Sequence, residues 1–378
     1  MERSERKTVV DHWGRFQLAD GAPDEGARVE HLRALAALLD GPLELGEEAV
    51  NLWEEILGIR PADRGLLHEF QQLLERRGEH EELLLALQRE LDLGDEGDGE
   101  RLGLCRRMGR LAAEALEDLD RARHHWEEAR RLSPEDRETL DALRDLYRAL
   151  EAGPERVALL QAQIDCGQYL EEEQEEIWRE MAQALTSTMG DPEAAIQAWR
   201  QLLSMSPGDP EAFGQLLELY ENQGRWEAAV SLHLERLETL EGPARLEAWL
   251  QVAELQESDQ GDVEGAIGTY RVVLEEFPEA MEASYRLEGI LESRSMWEQL
   301  ALLLEERSEV LEEASDRVVT LERLAQVYED HLERAEDALS AIGRALKDAP
   351  GHWDALQTMD RLSRQLSSWD MLVAAYDA

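Results

Sequence analysis

In GDPEAAIQAWRQLLSMSPGDPE, residues 190–211, the apolar side chains share one broad helical face. Ala195, Ile196, Trp199, Leu202 and Leu203 stand at i, i+1, i+4, i+7 and i+8. Asp191 is placed to cap the helix N-terminus, Pro192 suits its first turn, and Glu193 complements the helix dipole. Pro207 stops the helix, and Gly208-Asp209-Pro210-Glu211 starts another with nearly the same words.

The pattern returns along the chain. The prolines that end apolar helices are Pro61, Pro134, Pro207, Pro278 and Pro350, spaced by 73, 73, 71 and 72 residues. Twelve residues before each stands an alanine: Ala49, Ala122, Ala195, Ala266 and Ala338. Four residues after each alanine comes Trp53, Trp126, Trp199, Tyr270 or Ile342. Small residues precede each proline by 25 positions (Ala36, Gly109, Ala182, Ala253, Ala325), and apolar ones follow it by nine (Phe70, Leu143, Leu216, Leu287, Met359). Such self-similarity is the mark of a repeat architecture. Each unit holds a weaker second copy, in which Trp226, Trp297 and Trp369 follow turn residues and His80 and Pro154 fill the same slot. The unit is therefore two helical hairpins of about 36 residues each. The expected units are 29–101, 102–174, 175–245, 246–317 and a truncated 318–378.

Two stretches carry a family resemblance. WLQVAEL (249–255) with GDVEGAIGTYRVVLEEFP (261–278) places Trp249, Val252, Ala253, Ala266, Tyr270 and Pro278 in step. FGQLLELYENQGRWEAAV (213–230) does the same with Leu216, Tyr220, Gly224 and Ala229. The pattern resembles the tetratricopeptide repeat, whose signature runs Trp-x2-Leu-Gly-x2-Tyr, then Ala-x3-Phe, then Pro. It departs in one respect: the first hairpin of each unit is a residue longer between its small residue and its alanine, which predicts a variant loop. The resemblance spans residues 29–378 and implies an all-α fold, a right-handed α-solenoid of stacked antiparallel helix hairpins. Residues 1–28 are expected to form the helix and loop of an incomplete repeat, since KTVVDHWGRFQL (7–18) aligns with 227–238. The chain thus begins and stops within a unit, which predicts a segment of a longer array.

Composition narrows the function. The 378 residues carry a net charge of −46, which argues against nonspecific binding to nucleic acid or to an anionic membrane. Lysine occurs only at Lys7 and Lys347, so a lysine nucleophile or phosphate-loop lysine is not expected. No run has the length of a transmembrane helix, and MERSERKTVV lacks a signal-peptide core. Cys105 and Cys166 are too few for a disulfide framework, and a reducing cytoplasmic setting is expected.

Candidate chemistry is sparse. Eight of ten tryptophans (53, 126, 178, 199, 226, 249, 297 and 369) occupy repeat slots and read as core, whereas Trp13 and Trp353 lie outside them and are freer to bind. His124 and His125 point about 100° apart on a helix and read as a surface pair, not metal ligands. Cys105 sits in a core register. DLGDEGDGE (92–100) lacks the alternating ligands and final glutamate of a calcium loop. No catalytic motif is present, so no enzyme activity and no cofactor are expected.

The resemblance implies that the first helix of each hairpin lines a groove that meets bound peptides. Carried over by register, its positions here are Arg33, Arg106, Arg107, Arg110 and Arg179, with Glu218, Glu221, Glu254 and Glu257 further along. Arginine forks onto carboxylates, so this stretch is expected to bind a carboxylate-bearing partner. The plainer alternative pairs each arginine with a glutamate one turn away. The expected function is a protein-interaction scaffold for a peptide, helix or domain. The acidity suits a basic partner as well, and uncapped ends leave self-association open. The sensor or regulatory array of a larger protein and a self-assembling structural element are the competing readings.

Overall fold

A computed structural model of the chain describes residues 24–41, 45–94, 97–259, 261–367, 369 and 373. The expected N-terminal helix at 7–18 and Trp13 lie outside them. Among the described residues there are helices and turns but no strands.

Helix starts follow from the recurring aspartates. Asp63, Asp136 and Asp209 occupy one register, and each side chain accepts from a backbone N–H of the first turn, as from Thr139 at 2.9 Å and Ala212 at 2.8 Å. Asp118, Asp191 and Asp262 occupy the other, accepting from Arg121 at 2.9 Å, Ala194 at 3.1 Å and Gly265 at 3.0 Å. Each such cap is worth about 1 kcal/mol. Where the register lacks the acid, at Leu45, Ala280, Arg334 and His352, the helix has no side-chain cap.

The chain divides into two compact units, Met1–Ala195 and Ile196–Ala378. The first contains α1 (Glu25–Asp40), α2 (Gly46–Ile59), α3 (Arg64–Arg77), α4 (His80–Asp92), α5 (Asp98–Glu114), α6 (Leu119–Leu132), α7 (Arg137–Ala149), α8 (Gly153–Asp165) and α9 (Glu171–Ala184). α10 (Pro192–Met205) follows. The second continues with α11 (Pro210–Asn222), α12 (Trp226–Leu237), α13 (Gly242–Glu254), α14 (Val263–Glu276), α15 (Met281–Ser293), α16 (Trp297–Val310), α17 (Ala314–Asp330), α18 (Ala335–Asp348) and α19 (Trp353–Leu366). Within each unit, helices pack on those next to them in the chain.

The register residues form the core. Ala49, Trp53 and Phe70 are buried together, with the two rings stacked at 6.1 Å. Gly109 shows why a small residue is needed: a Cβ there would lie 2.7 Å from Trp126 Nε1. Trp53, Trp126 and Trp199 are buried, while Trp178, Trp226, Trp249 and Trp297 are half-buried. Trp369 departs from its expected core role, being 50% exposed, and Trp353 is 67% exposed. Cys105 is buried as its register predicts.

The extra residue in the first hairpin has a definite location. In two copies the first helix widens into a π turn, at Leu185–Met189 and Leu255–Asp259, before the chain reaches its loop. A π turn absorbs one inserted residue. Thr186, Ser187 and Thr188 donate back to the carbonyls of Ala182, Gln183 and Ala184 at 2.6–2.8 Å, and Ser258 to Glu254 at 2.6 Å. These hydroxyls bond carbonyls that a regular turn would have engaged.

Turns between helices use left-handed backbone at matching places. Gly78, Glu151, Gly224, Ser295 and Ser367 stand one repeat apart, with φ between 54° and 71°. Only glycine takes this conformation without Cβ strain. Glu151 and Ser295 are exposed. Replacing either with glycine is expected to raise stability by about 0.5–1 kcal/mol, after the added unfolded-state freedom of glycine is subtracted. Urea unfolding midpoints of the two variants check this; an unchanged or lower midpoint would show the turns to be unstrained.

Candidate interaction site

The five groove-register arginines lie on α1, α5 and α9, the first helices of their hairpins. Arg33 donates through Nε to Glu69 at 3.0 Å and through Nη1 to Glu30 at 2.8 Å. Arg106 donates to Asp136 at 3.0 Å and pairs with Glu138 at 2.9 Å. Arg110 shares Glu138 at 2.5 Å, and Arg107 reaches Glu75 on α3 at 3.0 Å. Among these pairs only Arg33–Glu30 is one helical turn apart. The others join helices of neighbouring hairpins, because stacking places residues roughly one hairpin apart face to face.

These bonds perturb their members. The Glu69 carboxylate, opposed by burial and aided by Glu30, raises the Arg33 guanidinium. Burial acts to raise Asp136, but hydrogen bonds from Thr139 and the charge of Arg106 hold it below the usual carboxylate range. A different bond, within a hairpin, recurs in the second unit. Arg245–Glu276 at 2.6 Å and Arg317–Asp348 at 2.8 Å are one repeat apart in both partners. Pairs this exposed are screened by water and contribute little each. Glu254 and Glu257 also have partners, Arg286 at 3.9 Å and the Tyr270 hydroxyl at 3.2 Å.

Arg179 borders a different arrangement. Its neighbour Glu180 is 5% exposed and meets Arg148 at 2.7 Å, Arg156 at 2.8 Å and Arg144 at 3.8 Å. Arg148, Arg156, Glu176, Arg179, Glu180 and Gln183 line a cleft of about 340 Å³ between α7, α8 and α9. Three arginines line it with Arg144 behind Glu180, against Glu176, Glu180 and the Asp145 carboxylate that holds Arg148 at 3.3 Å, a small local positive excess on a chain of net charge −46. The cleft can hold an anion by forked hydrogen bonds. Reading single registers identified only Arg179. Arg144 and Arg148, one turn apart, were the available signal for the rest.

Of the expected surface pair, His124 is exposed but His125 departs from its reading. His125 is 8% exposed, not at the surface, with its ring edge-on to His124 at 5.4 Å. Burial, then the charges of His124 and Arg121, lower its proton affinity. His233 is buried against Phe213, ring centroids 5.1 Å apart. Burial first and Arg236 second push His233 down to about 4. Among the described residues no group of three His, Cys, Asp or Glu side chains is arranged to hold a metal ion, and no helix is long and apolar enough to cross a membrane.

A tetratricopeptide repeat profile matches residues 187–244, and a second matches residues 247–280. These windows hold the two stretches whose register residues form the cores of α11–α14. Residues 187–280 are built of tetratricopeptide repeats. No curated protein sequence matches this repeat chain. Among solved structures it is similar to the Naa15/Naa10 complex bound to HypK-THB, at 17% identity and a TM-score of 0.42 over 99% of its own length. It spans 62% of the length of that chain. It is also similar to a tetratricopeptide repeat protein from Parabacteroides merdae at 15% identity, with a TM-score of 0.30, 70% of this chain and 99% of that one covered. YrrB, described as a tetratricopeptide repeat protein with an unusual peptide-binding site, matches at 15% identity and a TM-score of 0.30, with 50% of this chain and 97% of that one covered.

Proposed function

We propose that this repeat protein is an interaction scaffold that grips an acidic segment of a partner protein through the arginines of its N-terminal half. The arginine-lined cleft beside Glu180 carries the reading. It concentrates positive charge where the rest of the surface repels anions, so an acidic segment gains there what it loses elsewhere. Arg33, Arg106, Arg107 and Arg110 extend the same chemistry along α1 and α5. Each is already held by a carboxylate, so an incoming acid exchanges one ion pair for another at small net cost. Such exchange selects for a partner with several carboxylates in series, each adding a modest increment.

The test is capture from the native cell by cross-linking and mass spectrometry, with the unaltered chain beside an Arg106→Glu/Arg110→Glu variant and an Arg179→Glu variant. Charge reversal is expected to cut capture of the principal partner at least about tenfold, with steep loss as salt rises. Equal capture by all three chains would end the acidic-segment reading, and capture of no specific partner would end the scaffold reading.

A further inference from the structure

Repeats expose function where one copy breaks register. A cavity of the second unit does so. It holds about 470 Å³ between α14, α15 and α16, and Leu274, Ser284, Leu303 and Arg307 line it. One repeat earlier, Leu203, Phe213, Leu232 and Arg236 line the corresponding cavity, which holds only about 180 Å³. Two buried slots differ, Tyr220 becoming Leu291 and Phe213 becoming Ser284, and only the second exchanges an apolar side chain for a small polar one. Across the five copies that slot carries Leu67, Leu140, Phe213, Ser284 and Leu356. Only the fourth is small and polar.

Five observations specify what would fill the opening. Ser284 is 1% exposed, and its hydroxyl has no hydrogen-bond partner within the chain. Arg307 is 7% exposed and is held by Glu288 at 2.7 Å, while its Nε has no partner. Buried polar atoms of this kind are ordinarily satisfied. The rim has gained apolar surface in Leu302, 55% exposed where the preceding repeat has Ser231, and beside it the Tyr285 ring lies under the Arg307 guanidinium at 4.8 Å. The preceding repeat also supplies a template, since its Phe213 ring occupies the slot with the Arg236 guanidinium 4.2 Å above it. Glu275, Glu306 and Glu309 outnumber Arg271 and Arg307 on the lining, which disfavours a phosphate or carboxylate there.

We propose that this pocket receives the neutral phenolic side chain of a tyrosine presented by a partner protein. The ring takes the volume that Phe213 fills in the preceding copy, and Leu302 and Leu303 flank it. The phenol oxygen meets the Ser284 hydroxyl after rotation about its χ1. The inference rests on the scaffold reading for its source of tyrosine, but the pocket is tested without any partner.

The probe is p-cresol, the tyrosine side chain as a free molecule, titrated into the full chain by calorimetry and followed by thermal unfolding. Saturable one-site binding and a raised Tm are expected. Ser284→Leu and Ser284→Phe restore what the other copies carry, and are expected to keep the unliganded Tm or raise it while abolishing the response. Should either fail to fold, Ser284→Val, intermediate in size, is expected to weaken binding. Ser284→Ala keeps the cavity and removes the hydroxyl, so affinity is expected to fall about three- to tenfold. Absence of p-cresol binding, its persistence in the filled variants, or equal binding of phenyl phosphate would each overturn the proposal. Failed p-cresol binding with partner capture intact strikes the pocket alone. Failed capture with p-cresol binding intact strikes the scaffold reading and the protein source of the phenol.

Discussion

Trp199→Ala is expected to lower the stability of the folded chain by about 3–5 kcal/mol, the range for truncating a large buried aromatic. Trp199 is fully buried and heads the large side chains with no exposure. The loss has two parts, the transfer free energy of the indole and the cavity left behind, and close-packed helices relax only partly around such a hole. Contacts in the chain are local, so the damage should be local too. Hydrogen exchange should show α10 and α11 opening first, while α17 and α18 keep their protection. Trp199→Phe should recover much of the loss. A stability change below about 1 kcal/mol would mean that the indole is not a core group.

Glu180→Ala ranks second. Removing one partner from a buried pair costs about 3–5 kcal/mol because the remaining charge stays buried without compensation. Here the arginines are less enclosed, with side-chain exposures of 19% for Arg144, 48% for Arg148 and 19% for Arg156. Water screens them in part, so about 2–3 kcal/mol is expected. Urea unfolding with and without added inorganic phosphate measures it. Phosphate should restore part of the lost stability by taking the place of the carboxylate, and chloride at equal ionic strength should not. Equal rescue by both salts would show general screening instead of an anion site.

Much of the fold was legible because the repeat is written several times. Asp191 and Asp209 cap as their positions predict, and Trp53, Trp126 and Trp199 enter the core as alanine-plus-four predicts. The extra residue before Ala195 was visible as a count, but its conformation was not: a loop and a π turn cost the same in letters. Pairing was misjudged for a related reason. A helical wheel shows neighbours one turn away, whereas Arg106 finds Asp136 and Arg107 finds Glu75 across the stack. Ser284 was legible in principle, since aligning the copies isolates it. Its meaning needed the cavity, because a serine in an apolar register is silent until packing shows the space it leaves.

The predominance of packing between helices close in the chain also bears on synthesis. Low sequence separation between contacts favours fast folding. A nascent chain emerging from the ribosome can bury Trp53 against Phe70 once the two helices that carry them are free, without waiting for the later repeats. Each later hairpin then docks on a surface that already exists. Translation itself can therefore set the order of assembly, and partly made chains expose little beyond the last unfinished hairpin.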